Sequence, residues 1–172
     1  QHDLVIKPLR GNVETRVRKV LGEDATLDAT ILAMAGLQRL GLEEELAPYM
    51  HPLPAESFIP AAGQGTLAIQ TAASNTELLD ALRVLSDIDS HQALLAERAV
   101  LRTLKASCHS CLAVYISPTF RAWQGRAMVA CPDGSDMLWI KTAGPTAQNV
   151  AMDISKELLA NGAARRLHAG EG

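Results

Sequence analysis

Aromatic residues are scarce in this sequence of 172 residues, and neither sign of charge dominates it. Phe, Trp and Tyr together make up 3% of the chain, so a folded core has to be built from aliphatic side chains and methionine. The net charge of −3 lacks the basic excess that accompanies nucleic-acid binding. No nucleic-acid partner is therefore expected.

The sequence also lacks long apolar runs, a signal-peptide pattern and a full set of paired cysteines. Its longest mostly apolar stretch covers the nine residues 29–37, whereas a membrane-spanning helix needs about 20. Three cysteines are too few, and odd in number, for a disulfide framework. These absences predict a cytoplasmic protein without a membrane partner.

The first residue is Gln1 rather than methionine, and the strand-like residues Leu4, Val5 and Ile6 follow almost at once. A buried strand needs neighbours that satisfy its backbone hydrogen-bonding groups. The expectation from this opening is that the chain begins inside a longer protein.

The first third of the chain alternates between strand-like and helical patterns. Residues 4–6 are typical of a short strand. Residues 29–35 form an apolar run that only Thr30 interrupts, typical of a strand that is covered on both faces in a parallel sheet. Residues 13–21 and 37–46 are expected to be helices. This order predicts an α/β layer.

The pattern changes after a proline-rich connector at residues 49–62. Asp133 and Gly134 are typical of a hairpin turn between two strands. We expect short strands at 66–70, 112–116, 120–123, 127–131 and 138–142, and helices at 77–85, 91–104 and 147–161. The second part is therefore predicted to be a small α+β domain with a three- to four-stranded antiparallel sheet and helices.

Four stretches carry motifs that occur together in one family. Residues 9–16 read LRGNVETR, residues 31–41 read ILAMAGLQRLG, and residues 60–65 read PAAGQG. A fourth motif, AERA at residues 96–99, leads toward Cys108. In this order and spacing the motifs resemble the C-terminal part of the porphobilinogen deaminase (hydroxymethylbilane synthase) family.

The resemblance implies a transferase of tetrapyrrole and heme biosynthesis, which joins four porphobilinogen units into hydroxymethylbilane. Porphobilinogen and polypyrrole intermediates would be its partners, and a dipyrromethane cofactor held by a cysteine thioether would carry the growing chain. The complete enzyme is expected to be a monomer. The family's catalytic aspartate belongs to an N-terminal domain that has no match here, so the chain is expected to be inactive without that domain.

The resemblance also implies a division into three parts. Residues 1–58 would be part of domain 2, an anion-binding α/β domain like that of periplasmic binding proteins. Residues 59–87 would form a connector and a return segment to domain 1. Residues 88–172 would form domain 3, the α+β domain that carries the cofactor cysteine.

Arg10, Arg16 and Arg39 are the candidate anion-binding residues. Pyrrole substrates of this family carry acetate and propionate arms, and a guanidinium group presents paired donors that match a carboxylate. Arg10 precedes a predicted helix start, where free backbone N–H groups also favour anions. Arginines at helix starts are otherwise usually solvated or paired with acids. With the family motif, all three are predicted to bind the cofactor.

Cys108 is the residue that the resemblance identifies as the covalent attachment point of the dipyrromethane. The family pattern is close to GGCxxP, whereas this chain has Ala106 and Ser107 before the cysteine and Cys111 in place of the proline. The loss of two glycines restricts the backbone beside the attachment point. A charged His109 would favour the thiolate of Cys108.

Two further functions stay open beside a transferase. One is a non-catalytic module that binds anionic, tetrapyrrole-like ligands. The other is a protein that uses the C-x-x-C pair Cys108 and Cys111 for metal or redox chemistry. A zinc site would need His91 and His109 as further ligands, since no second pair of this kind occurs, and no metal ion is predicted.

Two remaining residues have structural interpretations. Cys131 is predicted to lie in the core of a strand. Gln64, between Gly63 and Gly65, is predicted to lie in a tight turn or beside a ligand, and it is not placed among the catalytic residues.

Overall fold

The computed structural model of the chain describes residues 4–23, 25–107, 109–167 and 169. The chain divides into two compact units, Gln1–Pro52 and Leu53–Gly172. Among the described residues, no helix is both long and apolar enough to cross a membrane.

The described part of the first unit consists of short helices joined by segments without regular secondary structure. The helices are α1 (Val13–Leu21), α2 (Met34–Arg39) and α3 (Glu43–Leu46), followed by a 3₁₀ turn at Ala47–Tyr49. The predicted helix at 13–21 is confirmed. The single helix expected at 37–46 is instead α2 and α3, because the chain turns at Gly41, whose φ is +67°.

The predictions of strands at residues 4–6 and 29–35 are wrong. Neither segment pairs with another strand among the described residues, and Met34 and Ala35 belong to α2. A strand exists only when a neighbour accepts and donates its backbone hydrogen bonds. Methionine and alanine are also good helix formers, which favours the early start of α2.

The second unit contains a three-stranded antiparallel sheet and four helices among its described residues. The helices are α4 (Thr76–Arg83), α5 (Ile88–Thr103), α6 (Ala147–Ala160) and α7 (Ala163–Leu167). The strands are β1 (Leu112–Pro118), β2 (Trp123–Val129) and β3 (Leu138–Gly144), in the order β1-β2-β3. This arrangement confirms the predicted α+β domain.

Several predictions for the second unit need correction. The strand expected at 66–70 pairs with nothing in the described chain. The two strands expected at 120–123 and 127–131 are the single strand β2, since a turn ends at Ala122, whose carbonyl accepts from Thr119 N at 2.7 Å. Cys131 follows β2 and is only half-buried, so its predicted place in a strand core is wrong.

One face of the sheet packs against α5 and α6. Side chains of alternate strand residues fill this interface, as the two-residue period of a strand requires. Eleven of the described core residues are at most 1% exposed: Ala96, Val100, Val114, Ile116, Ala127, Val129, Val150, Ala151, Ile154, Leu158 and Ala163. Aliphatic residues thus build the core, as the scarcity of aromatics predicts.

Gly125, in the middle of β2, is required by the close approach of α6. A Cβ atom at this position would lie 2.7 Å from Cδ1 of Ile154 and closer still to Cγ1 of Val150. We expect Gly125→Ala to destabilise the second unit by about 1–3 kcal/mol, since the core has no room for a methyl group. Urea unfolding followed by tryptophan fluorescence measures this effect, because Trp123 and Trp139 both lie in the sheet.

Gly144→Ala is the matched control for this prediction. Gly144 ends β3, and a Cβ atom there would meet Asn149 and Val150 only at 3.4 Å, an ordinary contact distance. This variant should change the unfolding free energy by less than about 1 kcal/mol. Equal losses in the two variants would contradict the packing explanation.

Candidate functional site

The start of α1 is built by the Arg-Gly-Asn segment of the first motif. Gly11 has φ +121°, and a Cβ atom there would come within 2.8 Å of the Thr15 side chain. Asn12 caps the helix by accepting a hydrogen bond from Thr15 N at 2.8 Å. Arg16 then folds back so that its Nε donates to the carbonyl of Gly11 at 2.9 Å. The motif therefore encodes one compact turn.

This turn brings two of the predicted arginines to the same helix end. Arg16 is half-buried and anchored through Nε, while Arg10, directly before Gly11, is exposed. The side chain of Arg10 makes no hydrogen bond or ion pair with any residue in the described part of the chain. Both residues thus belong to the segment that forms the N-terminal end of α1, and anions are favoured at such an end.

Arg39 is placed differently from the prediction. It is the last residue of α2 rather than a residue near a helix start, and it is exposed. Gly36, one turn earlier, lies against Val13, with 3.5 Å between its Cβ position and Cγ2 of Val13. The helix that carries Arg39 thus passes beside the first residue of α1.

In the second unit, the PAAGQG motif forms a turn that is fastened to α5. Gly63 and Gly65 have φ values of +74° and +82°, which glycine adopts without strain. The backbone N–H of Gly63 donates to Oε2 of Glu97 at 2.6 Å. Gln64, between the two glycines, is exposed on this turn, in agreement with the tight turn predicted for it.

Glu97 connects three segments of the second unit. It is only 5% exposed, and its Oε1 accepts from Ile116 N of β1 at 2.8 Å while Oε2 accepts from Gly63. Burial raises the pKa of the Glu97 carboxyl above its usual range, against the opposing effect of the two backbone donors. Helix α5 and strand β1 precede and follow the loop that contains position 108. Glu97 therefore connects both of these elements to the PAAGQG turn.

A cleft of about 320 Å³ opens beside this carboxylate. Gln64 and Thr66 contribute from the turn, Asp87 and Ser90 from the start of α5, and Tyr115 from β1. The lining of the cleft thus combines these polar groups and Glu97 with apolar side chains such as Leu94 and Ile116.

Cys108, the predicted attachment point, lies outside the described residues. Hydrogen bonds between its neighbours make a compact turn: Ser107 N donates to Oγ of Ser110 at 2.9 Å, and Ser110 N donates to the carbonyl of Ser107 at 3.1 Å. Ser107 and His109 are exposed, and Cys111 is half-buried with a free thiol. Within the described chain, no three His, Cys, Asp or Glu side chains come together as a metal site would require.

Comparisons with known proteins match this chain to one family. The family model described as "Porphobilinogen deaminase, dipyromethane cofactor binding domain" matches residues 1–80, a range that holds the three arginines and the PAAGQG turn but not Cys108. A porphobilinogen deaminase of Syntrophobacter fumaroxidans is 37% identical over 96% of this chain and 52% of its own length. That of Desulforudis audaxviator is 36% identical over 98% of this chain and 54% of its own length.

A third relative, from Sorangium cellulosum, is 43% identical over 77% of this chain and 43% of its own length. The description of the matching family model names a domain that binds a dipyrromethane cofactor. Over nearly its whole length the chain is similar to porphobilinogen deaminases, at 35–37% identity. It spans about half the length of the curated relatives that it matches.

Glu97 is the residue that sequence reasoning missed. Its AERA motif was part of the resemblance, but no role for the acid followed from the residues alone. The available signal is that Glu97 is the single carboxylate in the predicted helix 91–104, between the apolar residues Leu95 and Val100. A buried acid needs hydrogen-bond donors, and here distant backbone groups supply them.

Proposed function

We propose that this chain is the part of a porphobilinogen deaminase that binds the dipyrromethane cofactor and the growing pyrrole chain. The whole enzyme would join four porphobilinogen units into hydroxymethylbilane. The observation that carries the proposal is the Arg-Gly-Asn turn, which holds Arg10 and Arg16 at one helix start.

The chemistry of this turn suits a ligand with several carboxylates. With Nε bonded to Gly11, Arg16 keeps its two terminal nitrogens as a planar pair for one carboxylate edge. Arg10 adds a second permanently charged group that is accessible to a ligand. Arg39 is proposed as a third such group. A polypyrrole with acetate and propionate arms presents the matching anions.

The cofactor is proposed to attach through the thioether of Cys108. When bound, the dipyrromethane supplies the pyrrole carbon to which the first substrate unit is added. The donor set of the chain fits this group, since the arginines offer charge-assisted hydrogen bonds to its carboxylates. The turn formed by Ser107 and Ser110 would hold the backbone beside the sulfur, in place of the family's glycines.

The domain assignment belongs to the same proposal. Residues 1–58 would contribute to a domain like those of periplasmic binding proteins, 59–87 would connect to another domain, and 88–172 would form the cofactor-cysteine domain. The complete protein would be a cytoplasmic monomer. None of the acids in this chain matches the family's catalytic aspartate, so the chain by itself should bind porphobilinogen without forming bilane.

Titration of porphobilinogen into the 172-residue chain tests the arginine assignment. Arg16→Leu is expected to weaken binding about 10- to 100-fold, since a charge-assisted hydrogen bond contributes about 1.5–3 kcal/mol. Arg18→Leu is the matched control, because Arg18 lies on the exposed side of the same helix. Equal affinities of the Arg16 and Arg18 variants would overturn the assignment.

Intact mass spectrometry tests the attachment point. When the chain is produced together with a complete deaminase of the family and porphobilinogen, the expected adduct is one dipyrromethane on the wild-type chain. The adduct should persist in Cys111→Ala and disappear in Cys108→Ala. An adduct that follows Cys111, or bound zinc in place of an adduct, would contradict the proposal.

A further inference from the structure

We infer that the face of the sheet opposite α5 and α6 carries a binding site for a small molecule with two or more carboxylates. Arg126 is the centre of this site, Lys141 adds a second cation, and the carboxylate of Glu56 fills the site from within the same unit. The inference concerns the second unit alone, and it does not rest on the proposed transferase function.

The register of the strands brings the two cations together. Gly125 lies on the face against α6, where a Cβ atom would come within 2.7 Å of Cδ1 of Ile154. Because successive side chains point to opposite faces of a strand, Arg126 lies on the other face. Tyr115 of β1 and Lys141 of β3 are directly opposite Arg126 in the sheet. The Cβ atoms of such neighbours are about 5 Å apart, so one small ligand can contact both cations.

No acid of the sheet neutralises these cations. The strand residues that share the face of Arg126 and Lys141 are otherwise apolar or carry a neutral polar group, such as Ser117 and Gln124. Among the described residues, the one acid that contacts Arg126 is Glu56, which lies outside the sheet. An anion that replaces Glu56 therefore meets a face with an excess of positive charge.

Arg126 is a cation that is largely shielded from solvent and has few partners. Its side chain is only 10% exposed, and a buried charge is unfavourable unless hydrogen bonds compensate it. Within the described part of the chain, the only polar contact of this side chain is the ion pair from Nη2 to Oε1 of Glu56, at 3.0 Å. No side-chain nitrogen there is both fully buried and without a partner, so the other donors of the guanidinium reach solvent. They are accessible to a ligand.

Glu56 is a partner that a ligand can displace. Its side chain is 64% exposed, and ion pairs with an exposed member contribute little to stability. The turn that contains it is held by its backbone, because Ser57 N and Phe58 N donate to the Pro54 carbonyl at 3.0 and 2.9 Å. Release of the Glu56 carboxylate thus breaks one ion pair and leaves these hydrogen bonds in place.

The group that fills the site indicates the class of ligand. A planar guanidinium can bind a carboxylate edge through two parallel hydrogen bonds, whereas Glu56 makes a single contact. A carboxylate that is not attached to a turn can adopt the two-bond geometry. A second carboxylate on a short frame can then reach Lys141 on the neighbouring strand. The site should therefore bind a polycarboxylate more tightly than a monocarboxylate such as acetate.

Titration calorimetry with the full 172-residue chain tests the site, with citrate, porphobilinogen and acetate as probes. We expect citrate to bind more tightly than acetate. Glu56→Gln should raise the affinity for citrate about fivefold, because it removes the competing carboxylate. Arg126→Gln should lower this affinity at least tenfold, and Lys141→Gln should lower it about threefold.

Glu157→Gln and Arg121→Gln are the matched controls. They remove the same charges at exposed positions, on α6 and at the tip of the β1–β2 hairpin, and should leave the affinity unchanged within about twofold. Since Glu56 is exposed, Glu56→Gln should fold like the wild type in circular dichroism. Its gain in affinity therefore tests the site even if Arg126→Gln is unstable.

The two polycarboxylate probes distinguish the sources of the ligand. A Glu56 effect on citrate identifies a free polycarboxylic acid, and an effect on porphobilinogen alone identifies a pyrrole with carboxylate arms. Both results support the site. The inference would be overturned if neither probe bound the folded Glu56→Gln chain at millimolar concentrations, if this variant did not gain affinity, or if the controls had equal effects. Arg16→Leu should leave citrate binding at this face unchanged, which separates the inference from the proposed function.

Discussion

Glu97→Ala is expected to destabilise the second unit by about 2–4 kcal/mol in urea unfolding. The substitution removes the acceptor for two backbone donors, Gly63 N–H and Ile116 N–H. Each donor left without a partner in a buried place costs about 1–3 kcal/mol. Part of this loss is offset because the variant no longer buries a carboxylate, which is itself unfavourable.

The loss should be accompanied by release of the PAAGQG turn. Gly63 is held by Glu97 on one side, and a Cβ atom at its position would come within 2.8 Å of Cδ1 of Leu94 on the other. In Glu97→Ala the Gly63 amide should therefore exchange its hydrogen faster, by an amount that follows the local free energy lost. A hydrogen-exchange rate at Gly63 equal to that of the wild type would show that Glu97 does not hold the turn.

Glu97→Gln separates the charge of this residue from its shape. The folded-state pKa of Glu97 is raised above that of the unfolded chain, so the folded state binds a proton there more tightly. This contribution to stability is fully present below the unfolded-chain pKa, near 4.5, and is lost as pH rises through the folded-state pKa. The glutamine variant lacks this dependence.

Wild-type stability relative to Glu97→Gln should therefore be greatest at about pH 4 and decline toward pH 7. Asp87 and Asp133 have lowered pKa values because Ser90 and Ser135 donate hydrogen bonds to them. They shift stability in the opposite direction, but equally in both proteins. A wild-type advantage that grows with pH would show that the sign assigned to Glu97 is wrong.

The α+β part of the fold is predictable from sequence because its signals are local. Asn75 caps α4 by accepting from Leu78 N at 3.1 Å, close to the predicted start. Helix α5 begins three residues before the predicted start because Asp87 caps it, accepting a hydrogen bond from Ser90 N at 2.8 Å. Alternation in the strands and the turn at Gly134 likewise act within a few residues.

Long-range features could not be predicted in the same way. Residues 4–6, 29–33 and 66–70 have strand composition, yet pairing depends on neighbours that a local pattern does not reveal. The contacts of Glu97 cross 34 and 19 positions of sequence to Gly63 and Ile116, and no spacing rule signals them.

The candidate site likewise has one part that the local sequence predicts and one part that it does not. The turn that holds Arg10 and Arg16 is encoded by consecutive residues, so its helix start followed from the motif. Arg39 is predicted near a helix start but lies at the end of α2, because Met34 and Ala35 begin the helix instead of ending a strand. Boundaries of elements are less reliable than their existence.

Arg166→Ala should have an effect as large as that of Glu97→Ala, about 3 kcal/mol in the second unit. The Arg166 side chain is only 11% exposed. Its Nε donates to the Asp136 carbonyl at 2.7 Å, and its terminal nitrogens donate to the Asn161 carbonyl at 2.6 Å and to the Asp136 carboxylate at 2.8 Å. Asp136 itself has φ +49°, a conformation that needs outside support.

Arg165 provides a matched control, because it contacts the same aspartate as Arg166. It contacts the same Asp136 carboxylate at 2.8 Å, but its side chain is 76% exposed and makes one ion pair. Exposed ion pairs contribute about 0–1 kcal/mol, so Arg165→Ala should lower the unfolding free energy by no more than that. Losses of equal size would mean that charge, and not buried hydrogen bonding, connects α7 to the hairpin.

Arg166→Lys decides between these two causes more directly. Lysine keeps the positive charge but cannot reach two carbonyls and a carboxylate with a planar fork of donors. If hydrogen-bond geometry holds the Asp136 turn, this variant should recover less than half of the stability lost in Arg166→Ala. Recovery of nearly all of it would show that a point charge is sufficient, and the left-handed turn at Asp136 would then need another source of support.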